Sequence, residues 1–271
     1  MRISRTFLPL LCLAGFRVCA IAEPAENFTR VGLPQTPFPL KIFVEPGGSF
    51  SPGLGTFGVR LRTSEAVILG RGDVPMPEPR HGLAGAGLQV WWSEEGRGAT
   101  LLRTEVCEVK RATPRGDCFI VAARARLTNT SDKDISTTLT VSISPEGPAG
   151  GPIHSLAFAQ HAFSIEGHPV LIAQSPSRGA TLASRALEAR PFVPQQDAAV
   201  QSAEGTCRGE MFFDVTVQAK GSVTLGFLCP VLPGRRASEG GALQPDAGLD
   251  FYRGLNVDDI FAEAEASGRA K

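Results

Sequence analysis

The sequence predicts an all-β protein: a large, two-sheet antiparallel β-sandwich with a short C-terminal helix. Three observations lead there. From Phe38 to about Pro233, apolar and polar residues alternate with a period of two in segment after segment, the pattern of strands with one face buried and the other in water. The 30 Gly and 21 Pro among 271 residues suit many short strands joined by turns. No 3.6-residue period is sustained in that stretch, which argues against the βαβ units of a parallel sheet. No fixed-length repeat is visible either, as a propeller would require, and the strands outnumber those of a minimal immunoglobulin-like module.

Strands are predicted over 40–44, 55–61, 66–69, 88–92 and 101–109. The clearest runs over 119–127, where Phe119, Val121, Ala123, Ala125 and Leu127 share one face and Arg124 and Arg126 the other. After the polar turn Asn129-Thr130-Ser131-Asp132, Ile135, Leu139, Val141 and Ile143 alternate with Ser136, Thr138, Thr140 and Ser142. Shorter strands follow over 163–166, 170–173 and 181–183. A hairpin is expected next, with Met211, Phe213, Val215 and Val217 leading into a Lys220-Gly221 turn and Val223, Leu225, Phe227 and Cys229 returning. Pairing Val217 with Val223 sets Phe213 opposite Phe227 on one face, and a slip of one residue would turn that face to water.

The two ends differ in character from this body. Arg2 and Arg5 precede the apolar stretch Thr6 to Gly15, and Ala20-Ile21-Ala22 forms an A-x-A site before Glu23; residues 1–22 therefore read as a signal peptide. The stretch is interrupted by Arg17 and falls short of the roughly 18 apolar residues of a membrane span. Export to the periplasm or the medium follows, with no membrane attachment after cleavage. Residues 23–37 form a Pro-rich lead-in, 38–250 the sandwich, and 251–271 a linker-like C-terminal helix. In that helix Asn256 stands at the cap, Asp258 and Asp259 in the first turn, and Val257, Ile260, Phe261 and Ala264 on one face. Such a face must dock on the sandwich itself or on a partner.

Charge and motifs narrow the function classes. Lys+Arg and Asp+Glu total 27 each, and loss of Arg2, Arg5 and Arg17 with the signal leaves a net charge of −3, so nucleic acid is not an expected partner. His81, His154, His161 and His168 form no H-E-x-x-H pair, no C-x-x-C exists, no G-x-S-x-G elbow occurs, and the Gly-rich 82–87 segment lacks the Lys-Ser/Thr of a phosphate loop. No catalytic residue, metal site or cofactor is therefore predicted. Cys107 and Cys118 flank residues 111–117; pairing them directly sets Val106 against Phe119 and Thr104 against Val121, and predicts a disulfide. Cys207 and Cys229 fit a bridge less well. The most suggestive cluster is Trp91-Trp92-Ser93-Glu94-Glu95. Adjacent tryptophans on a strand point to opposite faces, so one belongs to the core and the other faces outward, either to pack under a loop or to offer an indole for stacking on a sugar ring, with Glu94 or Glu95 accepting hydroxyl hydrogen bonds. Trp91, Trp92 and Glu94 are the candidate ligand-binding residues.

The segments GTFGVRLRTSEAVILG, LQVWWSEEG, FIVAARARLTNTSDKDISTTLTVSISPEG, EMFFDVTVQAKGSVTLGFLCPVLPG and YRGLNVDDIFAEAEASGR, taken in order over residues 38–268, resemble the galactose mutarotase-like supersandwich that precedes the six-hairpin α/α barrel of bacterial glycoside hydrolases. The likeness is one of strand pattern and segment order. It implies a non-catalytic, carbohydrate-associated module, because in those enzymes the general acid and base lie in the barrel; a helical-barrel domain or subunit on the C-terminal helix is then an expected partner. Two alternatives stand beside this. One is an aldose epimerase or lyase working on a concave sheet face, which requires a His and a carboxylate converging in a groove, although His154, His161 and His168 match no mutarotase motif. The other is an envelope adhesion module that binds protein.

Overall fold

The computed structural model describes residues 28–34, 36–63, 80–84, 89–185, 193–236 and 243–269. The signal-peptide expectation and the predicted strand 66–69 lie outside these. Among the described residues sixteen strands are formed: β1 (Thr29–Val31), β2 (Ile42–Val44), β3 (Phe50–Pro52), β4 (Gly58–Thr63), β5 (Arg80–Ala84), β6 (Val90–Arg97), β7 (Thr100–Thr113), β8 (Gly116–Asn129), β9 (Ile135–Ser144), β10 (Ser155–Ala159), β11 (Ala162–Ile165), β12 (His168–Ala173), β13 (Gly179–Ala183), β14 (Asp197–Gln201), β15 (Arg208–Val217) and β16 (Ser222–Pro230). They make two antiparallel sheets. One has seven strands in the order β1-β2-β3-β4-β9-β15-β13, the other nine in the order β14-β10-β11-β12-β16-β8-β7-β6-β5. The two-sheet sandwich expected from the alternation is the fold.

The alternating residues meet in the middle. Val121, Ala123, Ala125 and Leu127 of β8 are fully buried against Leu139, Val141 and Ile143 of β9, with Met211, Phe213, Val217 and Phe227 in the same core. Each large side chain so withdrawn from water contributes about 1.5–3 kcal/mol.

The predicted hairpin is corrected by the topology. β15 pairs with β9 and β13, whereas β16 pairs with β8 and β12, so the chain crosses from one sheet to the other at Lys220-Gly221. It crosses likewise between β8 and β9. The alternating pattern demands only that the apolar face meet another apolar face, and the opposite sheet supplies one as well as a neighbouring strand does. The two crossings lie side by side and share Asn129, a buried residue. Its Nδ2 lies 2.7 Å from the carbonyl oxygen of Lys133 in one crossing, and 3.1 Å from those of Val217 and Gln218 at the other.

A second, smaller core covers part of the nine-stranded sheet's outer face. There Cys107, Val109, Cys118, Ile120, Ala122 and Leu228 point away from the sandwich interior and are covered by α1 (Leu249–Arg253) and α2 (Val257–Arg269). The helix face foreseen from the sequence docks here: Ile260 is 2% and Phe261 0% exposed. Asn256 Oδ1 accepts the Asp258 N–H at 2.8 Å and Gln174 Oε1 the Val257 N–H at 2.9 Å, which satisfies two amides otherwise orphaned at a helix start. Gly226 of β16 is required beneath the helix, since a Cβ there would lie 2.9 Å from Val257 Cβ.

The predicted Cys107–Cys118 disulfide is not formed; both are free thiols. The β7–β8 ladder closes at Thr113 and Gly116 around a two-residue turn, Pro114-Arg115, which sets Cys107 opposite Ala122 and Cys118 opposite Arg111. The two cysteines thus stand four residues apart along the hairpin, about 13 Å, beyond bridging distance. Burial pushes the Cys107 thiol up to about 12 and that of Cys118 to about 11.

Candidate functional site

The two tryptophans part as strand geometry requires. Trp91 is 2% exposed and belongs to the central core, so of the three candidate ligand-binding residues it is unavailable to any ligand. Trp92 lies on the outer face of the nine-stranded sheet, beyond the area covered by the helices. A row of registered residues crosses five strands there, Gly82, Trp92, Glu105, Arg124 and Gly226. Gly82 makes room for the indole, because a Cβ would stand 3.0 Å from three of its ring atoms. The Arg103 guanidinium lies 4.5 Å from the ring centroid, within range of a cation–π contact.

Charged groups join this surface to the C-terminal helix. Arg103 Nε donates to Glu105 Oε1 at 3.1 Å, and Arg124 Nε donates to Glu105 Oε2. Arg124 also reaches Glu265 Oε1 of α2 at 3.2 Å and stacks over the Phe261 ring at 4.2 Å. Glu105 and Arg124 are both buried, and each charge stays inside because the other compensates it. Glu94 sits in the next row, between Arg80 and Arg103 and opposite both, with Oε2 3.9 Å from Arg103 Nη1. Arg126 is the next residue in that row and is exposed. Trp92 and Glu94 therefore share one face, backed by arginines, while Glu95 points to the other side opposite Leu102.

A second locus was missed in the sequence. At one end of the sandwich Phe57, Pro152, Ile165, Val170 and Leu232 form the walls of a pocket with His168 and Arg235 at its rim. The pocket is small, with a volume of ≈ 20 Å³, room for about one water or methyl group. His168 Nδ1 is 2.6 Å from Asp246 Oδ2, and Asp246 Oδ1 accepts the Gly248 N–H at 2.9 Å. The carboxylate thus orients the imidazole and leaves Nε2 facing outward from the pair. Gly234, at φ +71°, packs on the ring so closely that a Cβ would stand 2.4 Å from Cε1. Leu232 holds the left-handed conformation at φ +47°, a strained state for a branched side chain. His168 and Asp246 are 78 residues apart and belong to no spacing motif, so no local signal pairs them.

Two of the remaining histidines, His154 and His161, are held by hydrogen bonds. His154 Nδ1 lies 3.2 Å from the Ser202 carbonyl and His161 Nδ1 3.0 Å from Ser177 Oγ. Among the described residues no group of three or more His, Cys, Asp or Glu side chains gathers as a metal site would. One carboxyl is out of place energetically. Glu108 is buried, its Oε2 accepts from the Leu33 N–H at 2.8 Å and the Thr36 hydroxyl at 3.0 Å, and its Oε1 has no partner among the described residues. Burial pushes its pKa up to about 7, against the pull of the Leu33 and Thr36 hydrogen bonds and of Lys41.

Compared with known proteins, the chain matches no protein-family model and no curated sequence.

Proposed function

We propose that this chain is a non-catalytic, carbohydrate-associated β-sandwich module, of the galactose mutarotase-like kind found before helical barrels in glycoside hydrolases, and that it is exported. The observation that carries the reading is the outward indole of Trp92, steadied by Arg103 at 4.5 Å and flanked by Glu94. An aromatic ring beside a fixed donor and a fixed acceptor matches a sugar, which offers an apolar C–H face and hydroxyls that both donate and accept. The docked helix favours a module that stands on its own packing: with Ile260 and Phe261 buried, the apolar face of α2 needs no barrel subunit to cover it.

The test is titration of the purified protein with a panel of neutral and acidic oligosaccharides, followed by calorimetry and tryptophan fluorescence. Trp92→Ala and Glu94→Gln are expected to weaken binding by tenfold or more, since loss of one stacked ring costs on the order of 1–3 kcal/mol. A protein that binds no glycan in the panel, or whose binding survives Trp92→Ala, overturns the reading. Fractionation of the producing cell checks export.

A further inference from the structure

We infer that the pocket at His168 is an acetamido-recognition site, which on the carbohydrate reading above makes the ligand an N-acetylated sugar. Three features of the pocket define what it can hold. Its walls are apolar, from Phe57, Val170 and Leu232, and its volume suits one methyl group. At the rim, Arg235 brings a guanidinium that donates only; its Nη2 pairs with Glu166 Oε2 at 2.8 Å in an exposed ion pair, which leaves its other N–H groups to the ligand. His168, with Nδ1 bonded to the carboxylate of Asp246, presents Nε2 as an acceptor when the ring is neutral.

A methyl group, one carbonyl acceptor and one N–H donor are the parts of an acetamide. A carboxylate matches less well, because it has no donor for His168 Nε2. A bare hydroxyl sugar has no methyl for the walls. The strained loop supports a built site: Leu232 is held left-handed and Gly234 is pressed on the imidazole, fixing the ring rather than leaving it to rotate. This pocket lies by β12 and Trp92 on β6, four strands apart in the same sheet, so the two loci act independently.

The experiment uses protein labelled with ¹⁵N in its imidazole rings, titrated separately with N-methylacetamide, N-acetylglucosamine, glucosamine, glucose and acetate. N-methylacetamide and N-acetylglucosamine are expected to shift the His168 resonances, and their acetyl methyl to take up saturation from the protein; the other three leave both unchanged. Arg235→Ala, at an exposed side chain, weakens this binding about tenfold, the effect of one lost charge-assisted hydrogen bond. Val170→Ile, which adds a single methylene to the wall, reduces methyl saturation while the fold persists. Acetate or glucose binding as well as N-acetylglucosamine overturns the inference, as do His168 signals unmoved by saturating N-methylacetamide. A Trp92 fluorescence response to glucose oligomers with no preference for acetylated sugars refutes the acetamido site and keeps the carbohydrate reading. N-methylacetamide binding with no sugar bound keeps the site and removes that reading.

Discussion

Phe213 of β15 and Phe227 of β16 meet edge to face across the sandwich, with ring centroids 5.6 Å apart and planes at 75°. They are fourteen residues apart in the chain and belong to opposite sheets, so this contact ties the sheets together rather than two neighbouring strands. Truncating either ring to alanine is expected to lower stability by about 3–5 kcal/mol. The double variant should lose less than the sum, by about 0.5–1.5 kcal/mol, the aromatic pair term. Denaturant unfolding of the four proteins measures this, and strict additivity would refute a direct contact.

Asn129 links the two crossings through three carbonyls. Asn129→Ala leaves those buried acceptors short of a donor and is expected to cost about 2–3 kcal/mol. Asn129→Asp should do no better, because a carboxylate has no N–H to offer them. Thermal melts of both variants check the ranking.

Glu108 makes stability depend on pH in a stated direction. Its folded-state pKa of about 7 stands above the ordinary 4.5, so between these values the folded protein holds a proton that the unfolded chain releases. This contribution is complete below pH 4.5, declines as pH rises, and is gone above about 7, a total on the order of 3 kcal/mol. Glu108→Gln keeps an oxygen for the Leu33 and Thr36 donors and loses the proton dependence. It is expected to match the parent near pH 4.5 and to exceed it at pH 8, as urea titrations at the two values will show.

The thiols of Cys107, Cys118, Cys207 and Cys229 are buried and free. Reductant is therefore expected to leave the melting temperature unchanged. An alkylating reagent should modify these four only on unfolding, as mass spectrometry of native and denatured protein will report.

How much of this was legible follows from what alternation encodes. It states which residues of a strand face apolar surroundings, and Val121, Ala123, Ala125 and Leu127 all do. It says nothing of whether the facing partner is a neighbour in the sheet or a strand in the sheet opposite, and the 211–229 segment took the second course. The cap at Asn256 is a local interaction and was readable for that reason. Ile120 and Ala122, outward in β8 yet buried, mark where the helices would dock, a signal present in the sequence but obscured by Arg124 and Arg126 on the same face. The cysteine pairing failed because turn length, not residue type, sets register, and Pro114-Arg115 closes the hairpin sooner than a seven-residue loop. Of the candidate ligand-binding residues, the division of Trp91 from Trp92 was readable; the meeting of His168 with Asp246 depends on the whole topology.

The crossings impose a timetable on synthesis. β8 finds its neighbour β16 only when residues 222–230 have been made, and β9 waits in the same way for β15. Until then the longest strands of both layers offer open hydrogen-bonding edges to any other chain. Partners this distant make assembly slow, and the growing polypeptide depends on being shielded from its own copies until its last third has emerged.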